Sequence, residues 1–225
     1  MVLDDIWQLL VEHVFLTRPP SSQIATLCNF YLDEDMRFDQ PSASKIRKEN
    51  LASYFNSFVR RPSVLILGEA PGWRGCRFSG IPFTCEAQLV SGRMPFIGKP
   101  SSRAGYTSPI REATASIFWN AALPYSNNLF VWNIIPFHPH ASGIPMSNRT
   151  PSRNEIITWL PFLKELIGKL QPVNIIAVGR LPTQVCNKLG LAADSLRHPA
   201  HGGSKEFTVG LESVMNENHH LAEGC

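Results

Sequence analysis

Ser63-Val64-Leu65-Ile66-Leu67 runs directly into Gly68-Glu69-Ala70-Pro71-Gly72. The first five residues are mostly apolar with no polar alternation, the pattern of a strand buried on both faces of a parallel sheet. The next five set a tight turn, because two glycines and a proline let the backbone bend sharply and approach a ligand closely. Working outward, two similar runs follow, Leu129-Phe130-Val131-Trp132 and Asn174-Ile175-Ile176-Ala177-Val178, the second ending at Gly179. A short fourth strand is expected at about 193–197. Helical patterns fill the intervals at about 108–121, 152–170 and 181–189. The second of these opens with Ser152-x-x-Glu155, the spacing of a capping box. Before the first strand, helices are expected over 4–16, 21–32 and 45–58. Strands alternating with helices specify an α/β fold. The expectation is a three-layer α/β/α sandwich with a central, mainly parallel four-stranded sheet and added N-terminal helices. Residues 1–215 read as one domain, of which 1–60 are the helical part, and 216–225 as a flexible polar tail.

The bulk numbers agree with a globular protein. The 225 residues are 44% hydrophobic and 17% charged, enough to bury one full core and far from a disordered composition. The net charge of +3 permits a nucleic-acid partner without requiring one. The cysteines Cys28, Cys76, Cys85, Cys186 and Cys225 form no Cys-x-x-Cys pair, so neither a disulfide framework nor a zinc ribbon is indicated. Asp4 and Asp5 occupy the place of a positive secretory n-region. A cytoplasmic or nuclear protein, not secreted and without a membrane span, is expected.

In parallel α/β sheets ligands bind outside the carboxyl ends of the strands. Three loops leave those ends here, at 68–85, 133–148 and 198–204. The first lacks both the dinucleotide fingerprint and the P-loop lysine. With its continuation Trp73-Arg74-Gly75-Cys76-Arg77-Phe78-Ser79-Gly80-Ile81-Pro82-Phe83, it resembles motif A of the uracil-DNA glycosylase superfamily. There a Gly-Gln-Asp-Pro-Tyr-His segment runs without a gap into Gly-Leu-Cys-Phe-Ser. Laid over this chain, Gly68, Pro71, Gly80 and Phe83 fall on the motif's Gly, Pro, Gly and Phe. The Gly-Glu-x-Pro-Gly wording and Met94-Pro95-Phe96-Ile97-Gly98 are similar to branches that carry Gly-Glu-Gly-Pro-Gly. The resemblance implies that Gly68, Ala70, Pro71 and Gly72 line the base pocket and that Phe83 stacks on an extruded base, with Phe96 as its rival. Aromatic stacking of a base is worth ~1–3 kcal/mol.

Asn133 ends the second strand, where superfamily members carry an Asn that reads the base edge. A carboxamide offers donor and acceptor side by side and so distinguishes uracil from cytosine. Asn is also a common turn cap. His198 opens Arg197-His198-Pro199-Ala200-His201-Gly202, which is similar to the superfamily's His-Pro-Ser motif B. A neutral imidazole there would donate to the base O2 as charge develops on it. The competing reading of His138, His140, His198 and His201 as a metal site lacks a recognised ligand spacing. An iron–sulfur cluster requires four cysteine thiolates, and the paired N-terminal cysteines are missing. No metal and no other cofactor are expected.

Three positions depart from the uracil-specific pattern. Ala70 replaces the water-activating Asp, Gly72 replaces the Tyr that excludes the thymine methyl, and Gly202 replaces the wedge Leu. Glu69 is then a candidate to hold the water or to stabilise the sugar cation, and Asn133 is another. The glycine at 72 implies a wider pocket, open to other deaminated bases. Ser101, Ser102, His201 and Gly202 are candidate DNA contacts, with basic residues such as Arg74 and Arg149 near the same loops. The expected partner is DNA containing uracil or another deaminated base, bound by a monomer. A monofunctional glycosylase thus stands against a non-catalytic binder of damaged DNA, and against a small hydrolase using Gly68–Gly72 for phosphate.

Overall fold

The computed structural model of the chain describes residues 1–200 and 202–223, the stretch 218–223 as helix only. Helix α1 (Asp4–Leu10) continues into a π-helical turn at Val11–Phe15, close to the expected first helix. The expected second helix does not form. Residues 21–26 make turns, and β1 (Leu27–Cys28) pairs antiparallel with β4 (His138–Pro139). Tertiary contacts override the local pattern here. The Asn29 carboxamide donates to the Val14 and Thr17 carbonyls at 2.6 and 2.7 Å, and the Tyr31 hydroxyl donates to the Gly80 carbonyl at 2.7 Å.

Helix α2 (Ala43–Asn56) follows, then β2 (Val64–Gly68), the short helices α3 (Cys76–Ser79) and α4 (Glu86–Leu89), α5 (Ala113–Ala122) and β3 (Leu129–Asn133). After β4 come α6 (Arg153–Leu170), β5 (Asn174–Val178), α7 (Arg180–Lys188), β6 (Asp194–Leu196) and α8 (Ser204–Glu223). Four strands form one parallel sheet in the order β3-β2-β5-β6, with helices on both faces as the sequence implies. Every residue of β2 and β3 is buried, which is why both read as unbroken apolar runs. The register pairs Gly68 with Asn133, so the ends of β2 and β3 meet side by side.

On one face Trp132 packs against Phe162 of α6; on the other Phe118 of α5 packs against Phe207 of α8. The outer edge of β3 is closed by a side chain. The buried Tyr54 hydroxyl of α2 accepts from the Val131 N–H at 2.9 Å and donates to the Leu129 carbonyl at 3.2 Å. An edge strand's free backbone groups are thereby satisfied inside the fold. The expected capping box at α6 is present, with Ser152 Oγ accepting from the Glu155 N–H and the Glu155 carboxylate accepting from the Ser152 N–H.

Helix α8 was not anticipated, and it passes through the stretch read as a tail from residue 216. Its buried stripe is Phe207, Leu211 and Met215, one residue per turn. Among the described residues no helix is long and apolar enough to cross a membrane.

Candidate active site

A cavity of about 500 Å³ opens where β2 and β3 end, within the usual range for small-ligand sites. Its lining takes in Gly68, Glu69, Ala70, Pro71, Gly72, Phe83, Asn133 and His198. Residues far apart in the chain are thus brought to one wall by the strand register and by the loops after β2, β3 and β6.

Gly68 is where the wall is tightest. A Cβ there would lie 2.6 Å from Asn133 Oδ1 and 2.6 Å from Phe83 Cζ. Only the missing side chain lets the Asn133 carboxamide and the Phe83 ring close over the strand end. Phe83 has φ +55°, a left-handed backbone that is uncommon for a bulky residue and costs on the order of 1–3 kcal/mol. Its ring packs against Phe118 at 4.5 Å between centroids, which helps to hold that conformation. Asn133 is 5% exposed. Among the described residues no hydrogen bond engages its carboxamide, which leaves its donor and its acceptor available to a ligand in the cavity it lines.

His198 stands over Gly179, at the end of β5. Its Nδ1 accepts from the Ala200 N–H at 3.2 Å. In the neutral ring the proton is then on Nε2, which makes that atom a donor. Glu69 is half-buried, and burial raises its carboxyl above the ordinary range while a hydrogen bond with Thr150 opposes the shift.

The loop 72–80 is held from beneath. Arg77 donates to both oxygens of Asp39 at 2.8 and 3.1 Å, and Arg47 of α2 donates to the same carboxylate. All three are buried. A buried pair contributes little net stability but defines geometry strictly, and this one joins α2 to the first loop.

Several expected contacts lie elsewhere. Phe96 is 5% exposed and packs edge-on against Tyr54 at 5.5 Å and Trp119 at 5.8 Å. It belongs to the core beside the sheet edge and does not line the cavity. Ser101 and Ser102 are buried, Ser101 donating to Glu86 and Ser102 bridging the Arg47 guanidinium and the Phe78 carbonyl. Their hydroxyls serve the loop scaffold and are not presented to a phosphate. Gly202 is exposed, with φ +81°, outside the lining. His201 lies outside the described residues. His138 and His140 are buried and do not line this cavity; burial pushes the His138 imidazole down to about 3 and keeps it neutral. Among the described residues no group of three or more His, Cys, Asp or Glu is placed to hold a metal.

Other lining residues had no motif to announce them. Arg149 is placed by the Glu155 carboxylate, to which it donates twice at 2.6 and 2.8 Å; the capping-box spacing was the signal for that anchor. Asn148 Oδ1 accepts from the Trp73 N–H at 2.9 Å and ties the 140–150 segment to the first loop. Glu112 lies just before α5, and its Oε1 is 2.8 Å from where a Cβ on Gly72 would stand. The space left by glycine at 72 is therefore bounded by a carboxyl, with Asn148 behind it, and does not open as a void.

Residues 55–216 match the model of the uracil DNA glycosylase superfamily. A curated relative, the type-4 uracil-DNA glycosylase of Pyrobaculum aerophilum, is 30% identical over 134 residues, 59% of this chain. The match spans about half (53%) of that relative's length. Among solved structures, SMUG2 of Pedobacter heparinus aligns over 99% of this chain and 98% of its own, with TM-score 0.65 and 15% identity, a likeness of fold. With the family model covering most of the chain, including all three cavity loops, this protein belongs to the uracil-DNA glycosylase superfamily.

Proposed function

We propose that the chain is a DNA base-excision glycosylase that hydrolyses the N-glycosidic bond of an extruded uracil, or of another deaminated base, and leaves an abasic site. The observation that carries the reading is the meeting of an aromatic ring, a free carboxamide and an imidazole in one cavity at the strand ends. Base chemistry inside a duplex requires the nucleotide to leave the stack. Phe83 offers the face for the extruded base and Asn133 the matching edge. The C1′–N1 bond breaks with both electrons leaving on the base. Nε2–H of His198 donates to the oxygen on which that charge collects, an interaction strongest in the transition state. Water then adds its oxygen to C1′ and gives up a proton. Glu69, half-buried at the same wall, stabilises the cationic sugar and receives that proton. Since Ala70 offers no carboxylate, this role falls to the neighbouring residue. Arg74, on the loop after Gly72 with its guanidinium 4.8 Å from the Trp73 ring centroid, meets a phosphate of the bound strand.

A second reading, a binder without chemistry, draws on Ala70 alone. One experiment separates the two. A labelled duplex containing uracil is incubated with the protein and treated with alkali. Scission at the uracil supports the glycosylase; retention of the duplex without scission supports the binder. Duplexes containing hypoxanthine or xanthine extend the test to other deaminated bases.

A further inference from the structure

Glu112 has a seat made for it. Gly72 and Gly75 both lack the Cβ that would meet its carboxylate, at 2.8 Å from Oε1 for Gly72 and closer still to Oε2 for Gly75. The carboxyl lines the cavity beside Cys76 and Thr114. Among the described residues no hydrogen bond or ion pair engages its oxygens. The side chain is only partly covered and lines the cavity, so its oxygens are open to a group that arrives with the ligand.

The neighbours define its charge state. Arg74, on the same loop, favours the ionised form; burial disfavours it more strongly and pushes the carboxyl up to about 7. Cys76 on α3 and Cys85 before α4 also face it, and burial raises both thiols, so they stay neutral. Across the cavity stand Glu69, Arg149 and His198. A neutral carboxyl has one O–H to donate; an ionised one only accepts. Deamination exchanges a base's amino donor for a carbonyl acceptor. An extruded base fills the enclosed part of a cavity while its sugar and phosphates stay at the mouth.

Resting on the base-excision reading of the cavity, we propose that Glu112 contacts the extruded base directly, its carboxyl O–H donating a hydrogen bond to the carbonyl oxygen that deamination leaves. Glu112 then acts beside Asn133 as a specificity-determining residue. Once ionised it opposes the carbonyl and favours the parent amino base.

The test is the affinity of wild type and Glu112→Gln for duplexes that resist cleavage, one containing 2′-fluoro-2′-deoxyuridine and one its cytidine counterpart, between pH 6 and pH 8. Glutamine keeps a donor in place and does not ionise. The protonated fraction of a group titrating near 7 falls about tenfold over this range. The wild-type affinity for the uridine duplex, divided by that of Glu112→Gln, should fall about tenfold, and the same ratio for the cytidine duplex should rise. His198 is common to both proteins, so its contribution cancels in the ratio. A ratio that does not change with pH overturns the proposal, as does a ratio that changes in the same way for the uridine and cytidine duplexes. If Glu112→Gln does not fold, carboxyl-carbon NMR of wild type replaces it: the uridine duplex should raise the Glu112 pKa, and an unchanged value overturns the contact. The expected pH-dependent ratio, without excision of ordinary deoxyuridine, would support Glu112 as a base contact while removing the enzymatic reading.

Discussion

Replacing Gly68 by alanine should disable the cavity while leaving the fold in place. The added Cβ would stand 2.6 Å from Asn133 Oδ1, 2.6 Å from Phe83 Cζ and 2.7 Å from Phe83 Cε2, whereas ordinary contact begins at 3.4 Å. Both side chains must therefore retreat by about 0.8 Å. Phe83 retreats only against Phe118, and Asn133 is fixed by its strand pairing with Gly68 itself. Overpacking of this kind costs about 1–3 kcal/mol. A displacement approaching 1 Å at the reacting groups costs about a hundredfold in rate. The expected result is a lower melting temperature and single-turnover excision reduced by about two orders of magnitude. Phe83→Leu in the same chain removes the ring atoms that clash but not the Asn133 contact, so the double variant should recover only part of the melting temperature and none of the excision. Gly168→Ala is the control. That glycine lies inside α6 with nothing within 4 Å of its would-be Cβ, and alanine there should stabilise by about 0.5–1 kcal/mol. Wild-type excision and melting by Gly68→Ala would refute the claim that the bare strand end positions Asn133 and Phe83.

Other consequences are open to direct measurement. His198→Ala should lower single-turnover excision at least a hundredfold, in line with the loss of one preorganised donor, with little change in melting temperature because the side chain is exposed; unchanged excision would remove its role. Glu112 carries a raised pKa, so its contribution to stability is present in full below the unfolded value of 4.5 and is lost as pH rises through about 7. Relative to wild type, Glu112→Gln should gain stability between pH 5 and pH 8 by on the order of 3 kcal/mol, read from urea unfolding; a constant difference across that range would contradict the raised carboxyl. Tyr54→Phe leaves the Val131 N–H and Leu129 carbonyl without their buried partner and should cost about 1–3 kcal/mol with cavity chemistry preserved. Arg74→Ala should weaken duplex binding and reduce its salt dependence by about one counterion.

The sheet was legible because its strands are buried on both faces. Val64–Gly68, Leu129–Asn133 and Asn174–Val178 cannot alternate, and their loops carry the polar residues that a buried strand excludes. Ser152 and Glu155 announced a helix start through a local hydrogen-bond pattern, and it formed. The segment 21–32 misled because its helical spacing is weaker than what tertiary structure offers: pairing with His138–Pro139 and the buried Asn29 carboxamide. Helix α8 was not legible although Phe207, Leu211 and Met215 keep a four-residue spacing, because that narrow stripe is set among polar residues.

At the site, residues next to a strand end could be placed from sequence, since strand and turn fix their position to within a residue. Gly68, Asn133 and His198 are of this kind. Phe96, Ser101 and Ser102 belong to a long irregular segment, where proximity in sequence says nothing about which side faces the core. Glu112 was invisible for another reason. Its position depends on two glycines more than thirty residues earlier, and no local pattern reports the absence of a Cβ.

The most direct measurement is the mass of the strand after incubation of a uracil-containing duplex with wild-type protein and with His198→Ala. With wild type, an intact strand in which uracil has been exchanged for a hydroxyl, together with free uracil in solution, is the predicted result; His198→Ala should leave nearly all of the strand unaltered over the same time. A strand of unchanged mass that remains bound to the wild-type protein, or a backbone cut with uracil still attached, would contradict the account.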